Sequence, residues 1–289
     1  MRETARLAVV GLGRAGMARC RAIQAIPEAE LAAVHSRRPT GEPPAPHRAV
    51  EEICQDASID AVIISCENSR HAPLARRFLE ARKDVLVEYP LAAHRAEAAA
   101  LFQLAASKRK TLSVELIGRL TAQHQMLRQL SSKPEIRGVS LSFSGSLYRW
   151  VHTEAMRGHW GRLAIGRLHA LYDLFGPLTL EDLTLRQSKN GGYSLALHLS
   201  NGERQIHLCE DRSPQQRRST AWRFELAGGE TLNPTLPAGP QQLFELDLRS
   251  FLQERRGLPA LIERVSSEEV LTVLKLAEEI DQIAQHQRK

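Results

Sequence analysis

The stretch Leu7-Ala-Val-Val-Gly11-Leu-Gly13-Arg14-Ala15-Gly16 decides the fold of this chain of 289 residues. Its apolar run ends in the pattern G-x-G-x-x-G, the glycine fingerprint, which predicts a turn from a strand into a helix. The first glycine permits the turn, the second leaves room for a diphosphate, and the third lets the helix lie close to the strand. N–H groups at the start of the helix hold the diphosphate. We therefore expect a dinucleotide site contacted by Gly11, Gly13, Arg14, Ala15 and Gly16.

After the fingerprint, helix-like and strand-like stretches alternate along the chain. The apolar runs predict buried strands at 31–34, 61–65, 85–87 and 111–114. Helical spacing predicts the helices between them, at 17–26, 50–54, 71–81 and 95–107. This alternation is typical of a doubly wound parallel sheet. Residues 1–117 are therefore predicted to form a dinucleotide-binding Rossmann domain.

Beyond that domain the sequence pattern changes. Alternating or apolar stretches predict further strands at 139–147, 193–199, 204–209 and 222–226, with a helix at 163–174. Short Gly-containing connections between them indicate hairpins. Residues 118–289 are predicted to form an α+β substrate domain on a mostly antiparallel sheet, so the fold class is α/β followed by α+β. A last helix at 267–285 starts with the capping box Ser266 and Glu269, and the sequence leaves open whether it packs back on the first domain.

Composition narrows the function classes. The net charge of +6 is spread over the chain, so it suits an anionic cofactor or substrate, and nucleic acid is not expected as a partner. The four cysteines show no metal-ligand spacing, so neither a metal site nor a disulfide framework is expected. No apolar run is long enough to span a bilayer, and no signal peptide precedes the first strand. We expect a cytoplasmic protein without membrane association, a monomer or weak homo-oligomer.

The end of the second predicted strand indicates which dinucleotide is bound. An acidic residue usually stands there to bind the ribose hydroxyls of NAD. This chain has Ser36, Arg37 and Arg38 instead. A serine hydroxyl and a guanidinium suit a 2′-phosphate, and each charge-assisted contact contributes about 1.5–3 kcal/mol. NADP(H) is therefore the expected cofactor, with a solvated basic turn as the alternative.

The third and fourth predicted strands end in polar residues. In a doubly wound sheet the carboxyl ends of the strands line the ligand crevice. We therefore expect cofactor contacts from these residues: Cys66, Glu67, Asn68, His71, Glu88 and Tyr89. For Asn68 the sequence equally allows a capping role on the next helix.

With the fingerprint and the two-domain plan, Glu88-Tyr89-Pro90 resembles the glucose–fructose oxidoreductase and inositol dehydrogenase family. Most of that family has a lysine at the central position of this triplet and later an Asp-x-Gly-x-His segment. In this chain Tyr89 stands at the position of the lysine, and Arg162 and Gly166 stand at the positions of the aspartate and the histidine. No obvious base for oxidising a sugar alcohol remains.

With these departures, the chain resembles the biliverdin reductase branch of the family. The resemblance runs to about residue 190 and includes the final helix. The matching segments are Ser36-Arg37-Arg38, Cys66-Glu67-x-Ser69-x-His71, Val85-Leu-Val-Glu-Tyr-Pro90 and Gly166-Arg167-Leu168. One segment differs: Glu115 is kept, but Leu116 and Gly118 stand where this branch has a histidine and a second glutamate.

The resemblance implies hydride transfer from NADPH to the central methine carbon of biliverdin, with a proton added to a neighbouring pyrrole nitrogen to give bilirubin. Arg167 and Tyr89 are the implied catalytic residues: Arg167 orients a water and stabilises charge, and Tyr89 hydrogen-bonds or stacks with the substrate. The alternatives are a surface ion pair for Arg167 and ordinary packing for Tyr89. The expected substrate contacts are Glu115, Arg149, Arg162 and His169.

Two questions stay open at this point. His169 and Asp173 form either a proton donor or a helix-surface pair. The reaction itself has two alternatives, namely another NADP(H)-dependent oxidoreductase acting on a carbonyl or imine, and a non-catalytic bilin- or nucleotide-binding regulator.

Overall fold

A computed structural model describes residues 4–37, 41–147, 158–202, 204–237 and 242–286. Its contacts divide the chain into two compact units. The first unit contains Met1–Thr121 and Pro240–Leu271, and the second contains Ala122–Gly239 and Thr272–Lys289.

The first unit is built on a parallel sheet of five strands, each covered by buried apolar side chains. The strands are β1 (Ala5–Val10), β2 (Ala29–His35), β3 (Ala61–Ile64), β4 (Asp84–Glu88) and β5 (Leu112–Glu115). They lie in the order β2-β1-β3-β4-β5. The connecting helices are α1 (Arg14–Gln24), α2 (Val50–Gln55), α3 (His71–Glu80) and α4 (Arg95–Lys108). The order reverses between β1 and β3, where ligands bind in this fold. The expected doubly wound sheet is confirmed.

Two fingerprint glycines are required by packing. Gly11 has a φ of +99°, and a Cβ there would lie 2.5 Å from the backbone oxygen of Ser65. A Cβ on Gly16 would lie 1.7 Å from the backbone oxygen of Gly11. Any larger residue at either position would therefore push α1 away from the sheet.

The second unit is built on a mixed sheet of six strands. They are β6 (Ile136–Ser146), β7 (Thr179–Gln187), β8 (Tyr193–Ser200), β9 (Gln205–Ser213), β10 (Ser219–Leu226) and β11 (Thr231–Leu232). The order is β11-β10-β6-β9-β8-β7; β6 and β9 are parallel, and the other neighbours are antiparallel. The mostly antiparallel character is confirmed. The sequence did not indicate β7, because most of its side chains are at least partly exposed and show no apolar alternation.

Helices α5 (Ala122–Ser131) and α6 (Trp160–Phe175) belong to the second unit, and α8 (Ser267–His286) ends there. A Cβ on Gly161 would lie 2.2 Å from the backbone oxygen of Ala277, so α6 and α8 are in backbone contact. The N–H of Gly161 donates to Asp281 of α8 at 2.7 Å. The predicted cap of α8 is present, because the N–H of Glu269 donates to the Ser266 hydroxyl at 3.1 Å.

Helix α7 (Leu243–Arg255) lies in the first unit, although the sequence prediction assigned it to the second domain. Leu248, Phe251 and Leu252 are buried in the same apolar cluster as residues of β1 and α1. Burial of this apolar face fixes α7 on the first unit. The segment after residue 118 is therefore not one continuous domain.

A fully buried arginine joins α1, α7 and the end of β4. Arg19 lies on α1 and has no exposed surface. Its Nη1 donates to Asp247 of α7 at 2.5 Å, and its Nε donates to Glu88 of β4 at 3.2 Å. The ring of Phe244 lies 4.8 Å from the guanidinium. Because an unpaired buried charge is strongly destabilising, these acidic partners fix the position of α1.

Glu88 has a second carboxylic neighbour. Glu115 is its register partner on β5, so both side chains leave the sheet on the same face. Burial raises the pKa of Glu115 well above its ordinary value, and the adjacent Glu88 raises it further. The protonated form of Glu115 is therefore favoured, its side chain bonds to Glu88, and it also accepts the N–H of Ile117.

We predict that Glu115→Gln weakens the pH dependence of folding. The folded protein keeps a proton that unfolded Glu115 releases above about pH 4.3, so the free energy of unfolding falls as the pH rises above that value. The slope from this group is at most about 1.4 kcal/mol per pH unit. Glutamine holds its hydrogens at every pH and removes this contribution. Urea unfolding at several pH values between about 5 and 8 measures it, and equal slopes in both proteins would contradict the assignment.

Candidate functional site

A cavity of about 500 Å³ opens at the carboxyl edge of the first sheet. Its walls come from the fingerprint turn and from the ends of β2 and β3, on the two sides of β1. The sequence-predicted residues that line it are Gly11, Gly13, Ser36, Arg37, Cys66 and Glu67. The structure also places Arg70 there, a residue that the sequence analysis did not single out.

The fingerprint part of this cavity fits a diphosphate. A Cβ on Gly13 would meet no protein atom within 4 Å, unlike one on Gly11 or Gly16. Packing therefore does not require a glycine at position 13, whereas close approach of a ligand does. Arg14, Ala15 and Gly16 form the first turn of α1, whose N–H groups have no acceptor within a helix. The residues present thus suit the diphosphate of a dinucleotide.

The β2 end of the cavity carries the groups expected to recognise a 2′-phosphate. Ser36 and Arg37 both line the wall. The backbone N–H of Ser36 lies 3.1 Å from Nε2 of His47. Arg37 forms an ion pair with Glu67 from the β3 end. Arg38 lies outside the described residues.

Cys66 and His71 contribute structure at the β3 end. Burial raises the pKa of the Cys66 thiol to about 11, so the thiol is not a nucleophile at neutral pH. The buried ring of His71 has its nitrogens 2.8 Å from the oxygen of Pro90 and 3.0 Å from that of Cys66. It therefore ties the ends of β3 and β4 together instead of lining the cavity. Asn68 starts a short 3-10 turn, and the N-cap position of α3 is held by Arg70, two residues later.

Tyr89 follows β4 and is 39 % exposed, so ordinary core packing does not account for it. Its peptide bond to Pro90 is cis. Glu88, predicted as a cofactor contact, instead pairs with buried Arg19, and its side chain keeps 17 % exposure. Glu115, predicted as a substrate contact, is almost fully buried beside it. Tyr89 is the most exposed of these three residues.

In the second unit, Arg167 of α6 is held by a buried glutamate. Its Nη2 forms an ion pair with Oε2 of Glu210 at 2.7 Å and also donates to the backbone oxygen of Leu163. The other oxygen of Glu210 accepts from Tyr193 at 2.8 Å and from Arg212 at 2.6 Å. The Arg167 guanidinium is 17 % exposed, whereas Glu210 is fully buried. Arg167 does form an ion pair, as the alternative held, but the carboxylate of this pair is buried instead of lying on the surface.

One aromatic ring supports the same cluster. Phe143 of β6 lies 4.5 Å from the guanidinium of Arg167 and 4.8 Å from that of Arg212. Arg167 and Arg212 thus share this ring and one carboxylate, and these three charged groups carry a net charge of +1. The guanidinium of Arg218 lies farther from the same ring, at 6.0 Å. Burial, reinforced by Glu210, raises the pKa of Tyr193, so its hydroxyl stays protonated and donates. The cluster is a rigid cationic group with one partly exposed member, Arg167.

The other predicted substrate contacts are placed differently. Arg162 is buried, with Nη2 2.7 Å from His159 and Nε 3.5 Å from Asp281, so it ties α6 to α8. His169 is buried within α6. Asp173 contacts His124 at 2.5 Å and Arg128 at 2.5 Å, both on α5, so its carboxylate is turned to that helix. The remaining contact, Arg149, lies outside the described residues.

Sequence reasoning missed Glu210, although a signal was available. Ile206, Leu208, Glu210 and Arg212 follow each other at every second position of β9 and are all buried. A charged pair that continues an inward-facing apolar series indicates a buried ion cluster. Arg19 was missed because a single arginine on an amphipathic helix gives no sign of burial.

No group of three or more His, Cys, Asp or Glu side chains is arranged to hold a metal ion in the part of the chain that the structure describes. No helix within the described ranges combines the length and apolar character needed to cross a membrane.

The curated proteins that match over most of the chain are biliverdin reductases. Biliverdin reductase A of Homo sapiens is 29 % identical over 282 residues, covering 94 % of this chain and 93 % of that protein. Biliverdin reductase A of Mus musculus is 28 % identical over 283 residues, covering 95 % and 94 %.

Solved structures share the whole fold. A biliverdin reductase from Synechocystis sp. PCC 6803, in complex with biliverdin and NADP+, superposes with a TM-score of 0.79 at 22 % identity, covering 96 % of this chain and 98 % of the other. A putative myo-inositol dehydrogenase from Sinorhizobium meliloti 1021 gives 0.79 at 18 % identity, covering 98 % of both chains.

The family model that matches is described as the oxidoreductase family with an NAD-binding Rossmann fold, and it covers residues 5–116. The predicted resemblance to biliverdin reductases is confirmed by the curated relatives. Over residues 5–116 the chain is therefore similar to the oxidoreductase family with an NAD-binding Rossmann fold.

Proposed function

We propose that this protein is an NADPH-dependent reductase of biliverdin or a closely related bilin. The reaction adds a hydride to the central methine carbon and a proton to a neighbouring pyrrole nitrogen, which gives bilirubin. The second candidate, another oxidoreductase acting on a carbonyl or imine, draws on the likeness to a putative inositol dehydrogenase.

The observation that carries the proposal is Tyr89. It stands after β4, where the resembling sugar-alcohol dehydrogenases have a lysine, and it is 39 % exposed. A phenol is a poor base for an alcohol at neutral pH. It can stack on a flat conjugated ring or donate a hydrogen bond to it. Reduction of a conjugated tetrapyrrole needs those contacts and no base.

NADPH would supply the hydride from the cavity of the first unit. The fingerprint glycines and the first turn of α1 would hold its diphosphate. Ser36 and Arg37 would pair with the 2′-phosphate, since both line the same cavity. The crystallised Synechocystis relative, which holds biliverdin and NADP+, supports this choice.

Arg167 would stabilise charge at the site of proton delivery. A guanidinium is too basic to release its own proton, so it acts by orienting a water and by stabilising the developing negative charge. The contacts to Glu210 and Phe143 hold it in one orientation before substrate binds. Fixed charges of this kind need no reorganisation during the reaction.

The direct test is to mix the purified protein with NADPH and biliverdin and to follow the visible absorbance of both. We expect the bilin band to disappear and one NADPH to be oxidised for each bilirubin formed. Turnover with a carbonyl or imine compound, but none with biliverdin, would favour the second candidate. Bilin binding without turnover under conditions that suit either nucleotide would indicate a regulator and would contradict the proposal.

Arg167→Ala is predicted to lower kcat by about 100-fold, the loss usual for one preorganised charge-stabilising donor. The Kd of NADPH should not change, because the cofactor cavity is lined by residues of the first unit. Arg167→Lys keeps a cation for Glu210 and should fold normally, with an intermediate kcat.

The matched control is Arg218→Ala. Arg218 is exposed and lies 6.0 Å from the ring of Phe143, so this variant removes a neighbouring guanidinium without touching Glu210. We expect kcat to stay within about twofold, as for most surface substitutions. Equal losses in the two alanine variants would contradict the role assigned to Arg167.

A further inference from the structure

The arginine expected at the 2′-phosphate is already engaged by a carboxylate. Arg37 follows β2 and Glu67 follows β3, and their side chains form an ion pair. Both residues line the cavity above the fingerprint. Because β1 lies between β2 and β3, the ion pair crosses from one wall of the cavity to the other.

The charges in the cavity are few. The described residues lining it include two arginines, Arg37 and Arg70, and one carboxylate, that of Glu67. The backbone N–H of Arg70 donates to the oxygen of Glu67 at 2.9 Å, so the second arginine follows within one turn. Arg37 is 60 % exposed and Glu67 is 43 % exposed. An ion pair this open to water is weak, and another anion can displace it.

We propose that Glu67 sets the cofactor preference of this protein by competing with the 2′-phosphate of NADPH for Arg37. The phosphate carries nearly two negative charges at neutral pH, so it is attracted by Arg37 and repelled by Glu67. NADH has a hydroxyl in place of that phosphate, and ribose hydroxyls donate hydrogen bonds to a carboxylate. Glu67 therefore lowers the affinity for NADPH and raises that for NADH.

This inference rests on the proposed function only in requiring a nicotinamide dinucleotide in the cavity. It does not require that the second substrate be a bilin. We therefore expect the ratio of the affinity for NADPH to that for NADH to be smaller than it would be with the same arginines and no charge at Glu67.

The test is the Kd of NADPH and of NADH, measured by nucleotide fluorescence on the full chain without a second substrate. Glu67→Gln keeps the size of the side chain and removes its charge. We expect the Kd of NADPH to fall by about two- to fivefold and that of NADH to rise, in line with removal of one exposed charge. Glu51→Gln is the matched control, because Glu51 pairs with Arg77 at 2.6 Å in the same unit and does not line the cavity. Both Kd values should stay unchanged in this control.

A second variant isolates the contact between the two side chains. The Glu67→Gln substitution is also made in a protein that already carries Arg37→Gln. There it should improve NADPH binding less than in the wild type, because no Arg37 guanidinium remains for the loss of Glu67 to release. A difference between the two backgrounds supports the competition. Equal effects in both would overturn it.

The remaining outcomes are also decisive. If the wild type binds NADPH and Glu67→Gln leaves the preference unchanged or shifts it toward NADH, this inference fails and the proposed function stands. If the wild type binds neither nucleotide, both fail. Unchanged thermal unfolding of Glu67→Gln will show that the Kd values refer to folded protein.

Discussion

The first unit depends on the burial of one charge. Arg19 reaches from the fingerprint helix to Glu88 at the end of β4 and to Asp247 on α7, and no part of it is exposed. A guanidinium removed from water destabilises the fold by several kcal/mol unless its acidic partners lie at the right distances. Those partners therefore restrict where α1 can lie. Because the N-terminus of α1 forms the wall expected to hold a diphosphate, the geometry of the cavity depends on this ion pair.

The charge balance of this cluster accounts for the protonation of Glu115. Arg19 is shared by Glu88 and Asp247, and Asp247 also pairs with Arg264. A third carboxylate beside these would leave the buried cluster with excess negative charge. This excess favours the protonated form of Glu115, in agreement with its raised pKa. The residue therefore serves the packing of β4 against β5, whereas the resemblance implied a substrate contact.

Much of the fold could be predicted because it depends on short-range patterns. The strands of the first sheet are continuous apolar runs, and Gly11 and Gly16 are demanded by backbone contacts that any fold of this kind makes. Helix α7 and strand β7 could not be placed in this way. The position of α7 depends on the long-range contact between Arg19 and Asp247, and β7 has few buried side chains. The parallel pairing of β6 with β9 is a long-range property that hairpin-length turns do not reveal.

Some residues of the candidate site, like some elements of the fold, could be predicted from the sequence, and others could not. Ser36 and Arg37 were predicted from their place after β2, and both line the cavity. Arg162 was predicted from its place in a resembling segment, but burial and Asp281 hold it between two helices. Glu210 was not predicted, because its role follows from contacts with α6, β8 and its own strand. The sequence thus predicts which residues stand at the end of a strand, but it does not predict which residue will pair with a buried charge.

The central claim is hydride transfer from the nicotinamide cofactor to the central carbon of a bilin. NADPH carrying deuterium at the transferable position of its nicotinamide ring tests it directly, with the product examined by mass spectrometry and proton NMR. The account predicts one deuterium for each bilirubin formed, located on the central methylene carbon. Bilirubin without deuterium, or with deuterium at another carbon, would contradict it.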